Sequence, residues 1–345
     1  MRDIGVLNVD KYNELPIALK KEIESANIFF QPAFVEFVHN NAEELYFFYN
    51  KERIVPLRHR KKACFNLGVF VSEPFLLVTD PAQSEGEFLD DVVYMAAQVL
   101  HIQWVNSTAS CFFSDTPKSH CKRIPFGSHV INLSLERDIL WKNVHGKHRN
   151  VIRKAEKESV TILSGREDLI KDYVELEQQT QTRTGRKASG LAYYKRQLDS
   201  LKNNIVIYIA YKDDKPQAGG IFYFNNQCCY YMYGATAKDV CPGSANLLIW
   251  KAINDMKDLG VREFSFVGCR INEDIGSKYS GIQLFKSRFG GELRQGYMFR
   301  YEKNPFMYKF FCKVMQLRLH SSKIYQDPID EEIHKWKDIQ VKNDD

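Results

Sequence analysis

"IVIYIAYKDDKPQAGGIFYFNNQCCYYMYGATA", residues 205–237, is the stretch that decides the fold. It contains three runs of β-branched and aromatic residues, separated by short polar segments at residues 212–215 and 225–227. Runs of this kind with brief polar turns between them are typical of antiparallel strands joined by hairpins. The stretch therefore predicts a meander of three strands.

A helix and a further strand are predicted directly after this meander. The segment "SANLLIWKAINDMKDLG", residues 244–260, has apolar side chains at helical spacing and Gly260 at the natural stop of the helix. It leads into the apolar run "REFSFVG", residues 262–268. The residues that share the apolar helix face are Leu248, Ala252, Ile253 and Met256.

The first half of the chain has a similar pattern. "YFFYNKERIVPLRH", residues 46–59, predicts two strands with a turn, and "EGEFLDDVVYMAAQVLHIQWV", residues 85–105, predicts a helix. The apolar run "ASCFFS", residues 109–114, predicts the strand that follows. A meander, a helix and a further strand in each half indicate a duplicated α+β fold, with a mixed, mostly antiparallel sheet flanked by helices.

Length and pattern together predict two domains and a tail. We place the boundary near residues 133–135, between the two similar patterns, which gives an amino-terminal domain of residues 1–134 and a carboxy-terminal domain of residues 135–303. Residues 304–345 form the tail, and "NPFMYKFFCKVMQLRLHSSKIY" predicts a helix in it. The apolar residues of that helix at helical spacing are Phe306, Phe310, Val314 and Leu317.

Composition excludes several classes of protein. Among the 345 residues 44% are hydrophobic and 13% aromatic, which indicates a folded globular chain. No apolar stretch approaches the ~20 residues of a membrane span, and the start has no apolar core of a signal peptide, so we expect a cytoplasmic protein without a transmembrane segment. The eight cysteines show no CxxC spacing, and no GxGxxG, P-loop or HExxH motif is present. We therefore expect neither a metal site, nor disulfides, nor a tightly bound cofactor.

The densest positive charge lies at the domain boundary, in "WKNVHGKHRNVIRKAEKESVTI", residues 141–162. If this stretch is one helix, Lys142, Arg149 and Arg153 lie on one side of it, because spacings of four and seven residues return to nearly the same direction. Such a stripe is either a solvated helix face or a phosphate site, of RNA or of a nucleotide-linked substrate. A second cluster, in "TRTGRKASG", places Arg183 and Arg186 in a turn-like context suited to binding.

The turn "KDVCPGSANLL", residues 238–248, precedes the second predicted helix. Gly243 permits close backbone approach, and Ser244 is the expected N-cap. Free N–H groups at a helix start attract anions, so the pyrophosphate or acyl oxygen of a donor molecule could bind at Gly243, Ser244 and Ala245. The alternative is that Pro-Gly-Ser is only an efficient turn and cap.

The segment "GIQLFKSRFGGEL", residues 281–293, combines two cations with two phenylalanines. Read as a strand, it directs Phe285 and Phe289 to one face and Lys286 and Arg288 to the other. This is either an amphipathic edge with solvated charges or a strand that presents Lys286 to a reaction. A fixed cation in a dry groove stabilises negative charge that develops on a carbonyl oxygen.

Four of these stretches, in order along residues 135–301, resemble the Fem family of peptidoglycan aminoacyltransferases and the wider group of acyltransferases with the same fold. They are "HGKHRNVIRKAEKESV", "QTRTGRKASGLAYYKRQLDSL", "YYMYGATA" with the helix and strand that follow it, and "GIQLFKSRFGGEL". The family's Gly-x-x-x-Phe-Lys-x-x-Phe-Gly signature is matched by Gly281, Phe285, Lys286, Phe289 and Gly290. The resemblance implies two tandem acetyltransferase-like (GNAT) domains.

The resemblance also implies an N-acyltransferase that forms an amide on an amine of a cell-envelope peptide or glycan precursor, nucleotide- or lipid-linked. The donor would be an aminoacyl-tRNA or an acyl-CoA. Lys286 is the catalytic candidate, and Gly243, Ser244 and Ala245 are the donor-binding candidates. Substrate binding is expected from Lys142, Arg149, Arg153, Arg183, Arg186, Tyr233 and Arg288.

Two other functions stay open on the sequence. One is an acyl-CoA-dependent N-acetyltransferase of an amino sugar. The other is a catalytically silent protein that binds RNA or glycan with the same fold, because a fold alone does not establish activity.

Overall fold

The computed structural model describes residues 4–41, 43–271, 278–318 and 327–333. Within these ranges the strands form one 14-stranded sheet with helices on both faces. The strands are β1 (Gly5–Leu7), β2 (Glu44–Tyr49), β3 (Arg53–Lys62), β4 (Phe65–Phe70), β5 (Phe75–Leu76), β6 (Trp104–Ser107), β7 (Cys121–Asn132), β8 (Thr161–Gly165), β9 (Ile205–Lys212), β10 (Lys215–Phe224), β11 (Cys228–Thr236), β12 (Glu263–Ser265), β13 (Cys269–Arg270) and β14 (Glu292–Glu302).

Helices connect many of these strands, and one follows the last strand. They are α1 (Val9–Asn13), α2 (Ile17–Ala26), α3 (Pro32–Asn40), α4 (Glu85–Val99), α5 (Arg137–Asn143), α6 (Gly146–Lys157), α7 (Ile170–Thr184), α8 (Leu191–Leu201), α9 (Ser244–Asp258), α10 (Lys278–Ser287) and α11 (Pro305–Arg318). The helix predicted in the tail is present as α11, and residues 319–326 and 334–345 of that tail lie outside the described residues.

Each half of the chain contains a meander, a helix and a parallel strand. In the first half β2, β3 and β4 form the meander, α4 crosses over, and β6 pairs parallel to β4. In the second half β9, β10 and β11 form the meander, α9 crosses over, and β12 pairs parallel to β11. A parallel pair requires such a crossover connection. The expected duplicated α+β fold is confirmed.

The two halves exchange strands at the centre of the sheet. β7 and β14 are antiparallel over ten residue pairs, and β14 also pairs with β6 while β7 also pairs with β12. The last strand of each half therefore lies next to the parallel pair of the other half. The domain limits of 1–134 and 135–303 divide the chain just after β7, and they stay a prediction because the sheet itself runs across that division.

Two of the predicted strands are wrong. The segment 281–293 is not a strand, because residues 278–287 form α10 and the chain becomes extended only at β14. The run "ASCFFS" is not a strand either. The Cys111 N–H donates a hydrogen bond to the Thr108 carbonyl and closes a turn, and Phe113 forms an isolated antiparallel bridge with Tyr297. The strand of that region is β6, which is formed by the preceding residues.

The helices cover the sheet in two layers. α4 packs on the first half and α9 on the second, each over its own apolar cluster. On the opposite face α1, α2 and α3 of the first half and α7 and α8 of the second share one continuous core. The two halves are thus joined both by exchanged strands and by a common core, which holds the segments after β6 and β12 side by side.

Candidate functional site

The parallel pair of β11 and β12 opens after only three residue pairs, the last of which is Tyr230 with Ser265. β11 continues beside β10 as far as Thr236, whereas the chain after β12 turns away at Val267 and Gly268, both at positive φ (41° and 32°). The edge of β11 beyond Tyr230 therefore has no pairing with β12. The divergence creates a crevice bounded by a strand edge, which can bind an extended group through its backbone.

The start of α9 lies at this crevice. Its N-cap is Gly243, with φ of 90°, and a Cβ added there would lie 2.2 Å from the carbonyl oxygen of Val151 on α6. Only glycine permits this contact and this backbone conformation. The Ser244 N–H donates to the Cys241 carbonyl (3.2 Å). No side chain caps the helix and its first turn has no acidic residue, so the following N–H groups and the positive end of the helix dipole are available to an anion.

Ser244 differs from the sequence prediction. It is the first helical residue rather than the N-cap, and its buried hydroxyl donates a hydrogen bond of 2.8 Å to the Cys241 carbonyl. Ala245 is half-buried in the first turn. The corresponding helix of the first half, α4, is different, because a capping box of Ser84 and Glu87 fills its start with a carboxylate.

Lys286 lies on the opposite side of the crevice. Its ammonium donates hydrogen bonds of 2.7 Å to the Val267 carbonyl and 2.8 Å to the Gly268 carbonyl, the two residues at which the chain leaves β12. Burial lowers the pKa of Lys286 from 10.5 to about 8. An ammonium has three N–H donors. The two carbonyls engage two of them, which leaves one for a substrate oxygen.

Helix α10 explains how Lys286 is held. Phe285 and Phe289, four residues apart, pack on the same side, with ring centroids 5.2 Å apart, and Phe289 is buried. The sequence predicted that these rings share one face, and they do, but Phe285 lies in α10 and Phe289 in the turn that follows it rather than in a strand. Gly290, at φ of 84°, passes so close to Asn143 that a Cβ would lie 2.7 Å from its backbone.

Two histidines that the sequence did not single out support this region. His148 of α6 donates from Nε2 to the Phe285 carbonyl (3.0 Å), and its ring contacts Phe289 at 4.8 Å. His129 of β7 is buried, its Nδ1 has no hydrogen-bond partner among the described residues, and the charge of Lys286 acts on it. Burial lowers the pKa of both imidazoles, which favours the neutral form. Neither residue has a sequence pattern that would have revealed it.

Tyrosines line the crevice from the second half. Tyr233 is half-buried, and its hydroxyl lies 3.0 Å from that of Tyr193 on α8. Burial raises the pKa of Tyr233 well above its ordinary value, so it stays a neutral phenol near neutral pH. Arg58 of β3 in the first half acts electrostatically on both phenols and forms an ion pair of 2.8 Å with Glu43. Sequence reasoning missed Arg58, which lies in an ordinary strand pattern.

The predicted loop cations have different environments. Arg183 lies in the last turn of α7 and donates to the backbone carbonyl (2.9 Å) and the hydroxyl (2.8 Å) of Thr236, at the end of β11. Arg186 follows the left-handed Gly185 that ends α7, and it is exposed. Arg183 therefore fixes the end of the crevice strand, while Arg186 is available to solvent.

The basic stretch at 141–157 is not one helix. α5 ends at Asn143 and α6 begins at Gly146, and Arg149 reaches back to donate hydrogen bonds to the carbonyls of Trp141, Lys142 and Val144. Arg149 thus serves as a cap for the end of α5. The predicted single helix is wrong for this stretch.

Lys142 and Arg153 are exposed, and the Arg153 guanidinium lies 5.5 Å from the centroid of the Trp141 ring. They are the two cations of the predicted stripe whose charge faces solvent. Arg288 follows α10, and because α10 is helical, Arg288 does not share a face with Lys286 as the strand prediction required.

A cavity of about 380 Å³ lies on the sheet face opposite α9. It includes Tyr230 and Ser265, the last pair before β11 and β12 diverge, and it is lined by both halves of the chain. Glu73 contributes from the first half, and burial raises the pKa of its carboxyl to about 7. Sequence reasoning missed this residue. The other polar residues that line the cavity are Asn27, Ser110, Gln227, Arg262, Glu263 and Arg294.

Among the described residues no group of three or more His, Cys, Asp or Glu side chains could hold a metal ion. All eight cysteines are free thiols. No helix in the described ranges is long and apolar enough to cross a membrane.

Comparison with known proteins identifies the domain and the fold. Residues 142–278 match the family model of the acetyltransferase (GNAT) domain. The crystal structure of FemX superposes with a TM-score of 0.63 at 12% identity, covering 89% of this chain and 99% of FemX. The C-terminal domain of a putative lysylphosphatidylglycerol synthetase from Agrobacterium fabrum gives 0.56 at 10% identity, covering 88% of this chain and 96% of that domain.

A tandem GNAT protein from the clavulanic acid biosynthesis pathway gives a TM-score of 0.51 at 10% identity, covering 88% of this chain and 99% of that protein. No curated protein sequence matches the chain significantly. The chain thus carries a GNAT acetyltransferase domain within a fold similar to those of FemX and a tandem GNAT protein. The expected class, an acyltransferase, is confirmed.

Proposed function

We propose that this protein is an N-acyltransferase that forms an amide on an amine of a cell-envelope peptide or glycan precursor, with an aminoacyl-tRNA or an acyl-CoA as donor. The observation that carries the proposal is the crevice between β11 and β12 beside the uncapped start of α9. A donor ester or thioester in this crevice can hydrogen-bond to the unpaired edge of β11. Its phosphate groups then lie near the helix start, where anions are favoured.

One of the similar structures is that of a putative lysylphosphatidylglycerol synthetase, whose name indicates transfer of an amino acid, and another is that of a tandem GNAT protein determined without AcCoA. The positive charge of exposed Lys142, Arg153 and Arg186 suits a polyanionic donor such as tRNA. The open start of α9 suits a compact pyrophosphate.

We assign the acceptor amine to the cavity on the opposite face of the sheet. Glu73 is the carboxyl in this cavity with a raised pKa, and burial is the first cause of the shift. A carboxylate with a pKa of about 7 can attract the ammonium form of an acceptor and take a proton from it near neutral pH. We assign Glu73 this role.

The reaction follows from these positions. The amine nitrogen attacks the acyl carbon and forms the new C–N bond, while negative charge develops on the carbonyl oxygen. Lys286 contributes its remaining N–H to that oxygen and holds the residues after β12 in place. Glu73 takes one proton from the acceptor ammonium, which gives the free amine that attacks. When the C–O bond of the tRNA ester or the C–S bond of the thioester breaks, the second proton lost by the nitrogen passes to the leaving oxygen or sulfur.

Incubation of the purified protein with charged tRNA and, separately, with acyl-CoA tests the proposal. Each donor is supplied with amino-sugar, nucleotide-linked and lipid-linked peptide acceptors, and amide products are detected by mass spectrometry. A product with one donor, lost in Lys286→Met, supports the proposal and identifies the donor. Binding of tRNA or glycan without turnover of any donor contradicts it and indicates a silent binding protein.

A further inference from the structure

Helix α11 carries apolar side chains on two opposite faces. On its inner face Tyr308 is buried and its ring lies 5.6 Å from that of Trp104 on β6. On its outer face Phe306, Phe310 and Leu317 are 82%, 50% and 76% exposed. The inner contacts explain why the helix packs on the sheet, whereas the outer apolar face stays largely exposed.

The three outer residues form a single stripe. Spacings of four and eleven residues return to nearly the same direction around a helix, so the side chains lie in line along α11. The ring of Phe310 also contacts Phe65 of β4, with centroids 5.7 Å apart, which fixes the stripe on the body of the protein. Single exposed apolar residues are common, but three large ones in line mark an interaction surface.

Positive charge surrounds this stripe. Lys309 and Lys313 are exposed on α11 and lie beside the stripe by helical geometry. From Lys303 to Arg318 the chain has four cations and no acidic residue. On the inner side of the helix, Arg60, Lys62 and Arg318 line a cavity of about 420 Å³, which adds cations to the same region.

We propose that α11 docks this protein on the surface of an anionic lipid bilayer. Phe306, Phe310 and Leu317 enter the headgroup layer, and Lys309 and Lys313 contact lipid phosphates. A fluid headgroup layer supplies phosphates to flexible lysines without requiring partners at fixed positions, and interleaved cations and aromatic residues are typical of helices that lie in this layer. The inference does not depend on the donor or acceptor of the enzyme.

Sedimentation with vesicles tests the proposal. We expect the wild-type protein to bind vesicles of phosphatidylcholine mixed with phosphatidylglycerol, and to bind phosphatidylcholine alone much more weakly. Phe306→Ser removes a side chain that is 82% exposed, so folding is unaffected, and apparent affinity falls by about tenfold. Lys309→Gln with Lys313→Gln lowers affinity for the anionic vesicles and weakens its salt dependence.

Leu259→Ser is the matched control, because Leu259 is 62% exposed elsewhere on the protein and its loss leaves vesicle binding unchanged. The proposal is overturned if wild-type protein does not bind anionic vesicles, or if Phe306→Ser binds them as wild type does. The alternative is that a second copy of the chain covers the stripe, and light scattering tests it by measuring the oligomeric state. A dimer that Phe306→Ser dissociates, together with no vesicle binding, would show that the stripe joins two copies of the chain.

Discussion

The ammonium of Lys286 lies 2.7 Å from the carbonyl oxygen of Val267, at the point where the chain leaves β12. A second bond, to the Gly268 carbonyl, ties α10 to the same turn. One side chain therefore both maintains the divergence of β11 and β12 and places a positive charge at the resulting crevice. Replacement of Lys286 is therefore expected to change both turnover and stability.

Lys286→Met is expected to lower saturating turnover by about a hundredfold or more, the scale that follows loss of one oxyanion donor. The variant also leaves two carbonyl groups without their donor, which costs about 1–3 kcal/mol of stability. Turnover with saturating donor and a thermal melt measure the two effects. Arg288→Met is the control, and it should leave turnover within a few-fold of wild type; equal losses in both variants would remove the catalytic assignment.

The pH dependence of turnover should be bell-shaped and narrow. Glu73, whose pKa is raised to about 7, must lose its proton to accept one, so the rate rises through that pH. Lys286, whose pKa is lowered to about 8, must keep its proton to stabilise the oxyanion, so the rate falls above that pH. Glu73→Gln should abolish the rising limb, and Lys286→Arg should move the falling limb to higher pH. Unchanged limbs in these variants would contradict both roles.

Stability gives an independent check on Glu73. A carboxyl whose pKa is higher in the folded state contributes stability below its unfolded pKa, and this contribution is lost as pH rises through about 7. Glu73→Gln should therefore gain stability relative to wild type as the pH is raised from about 4 to about 8. Denaturant unfolding at the two pH values measures the difference, and an identical pH dependence in both proteins would contradict the raised pKa of Glu73.

Gly243→Ala is expected to destabilise the protein by several kcal/mol and to raise the apparent Michaelis constant for the donor. A left-handed backbone costs an L-residue about 1–2 kcal/mol, and the new Cβ would also press on the Val151 carbonyl. Gly260→Ala is a matched control at φ of 75° with no atom within 4 Å of its Cβ, so it should show the backbone cost alone. Equal stability in the two variants would mean that α6 and α9 separate freely at this point.

The cations of residues 141–157 should have two different roles, with Arg149 stabilising the fold and Lys142 and Arg153 binding the donor. Arg149→Gln removes the cap of α5 and should lower stability by about 1 kcal/mol. Lys142→Gln with Arg153→Gln should leave folding intact, weaken donor binding and flatten its salt dependence, because these side chains face solvent. Donor affinity measured across a salt series distinguishes a binding role from a structural one. Unchanged affinity of the double variant at low salt would show that Lys142 and Arg153 form a solvated surface without a role in binding.

Arg300→Met should be among the most damaging substitutions in the chain. Arg300 has no exposure and donates to Glu302, Asp327, Asp330 and the Tyr308 hydroxyl. Its loss removes the cationic partner of the buried Asp327 carboxylate, whereas Glu302 keeps an ion pair with Lys122, and the cost is about 3–5 kcal/mol. Chemical denaturation measures this effect. Arg137→Met breaks an ion pair with Asp258 in which both side chains are about half exposed, and it should cost about 1 kcal/mol or less.

Most of the secondary structure was predictable because it depends on local patterns. The meander of 205–237 and its turns, the helices α4 and α9, and the helix of the tail all follow from alternation, helical spacing and turn residues. The signature residues Phe285 and Phe289 were placed on one face for the same reason. Their helix was missed because four-residue spacing also satisfies the two-residue alternation of a strand.

The sequence by itself determined the duplicated α+β fold and the likeness to the Fem family, and it identified Lys286 and Gly243 as candidate site residues, since each depends on residue type and short-range order. Only the tertiary structure decided that β7 and β14 are exchanged, that Arg149 caps α5, and that Glu73 and Arg58 of the first half face the site in the second. These features join residues far apart in the chain, and their partners are selected by packing and burial. No local pattern of charge or hydrophobicity encodes such contacts, because the residues next to an arginine in the sequence do not show whether it will be buried or exposed.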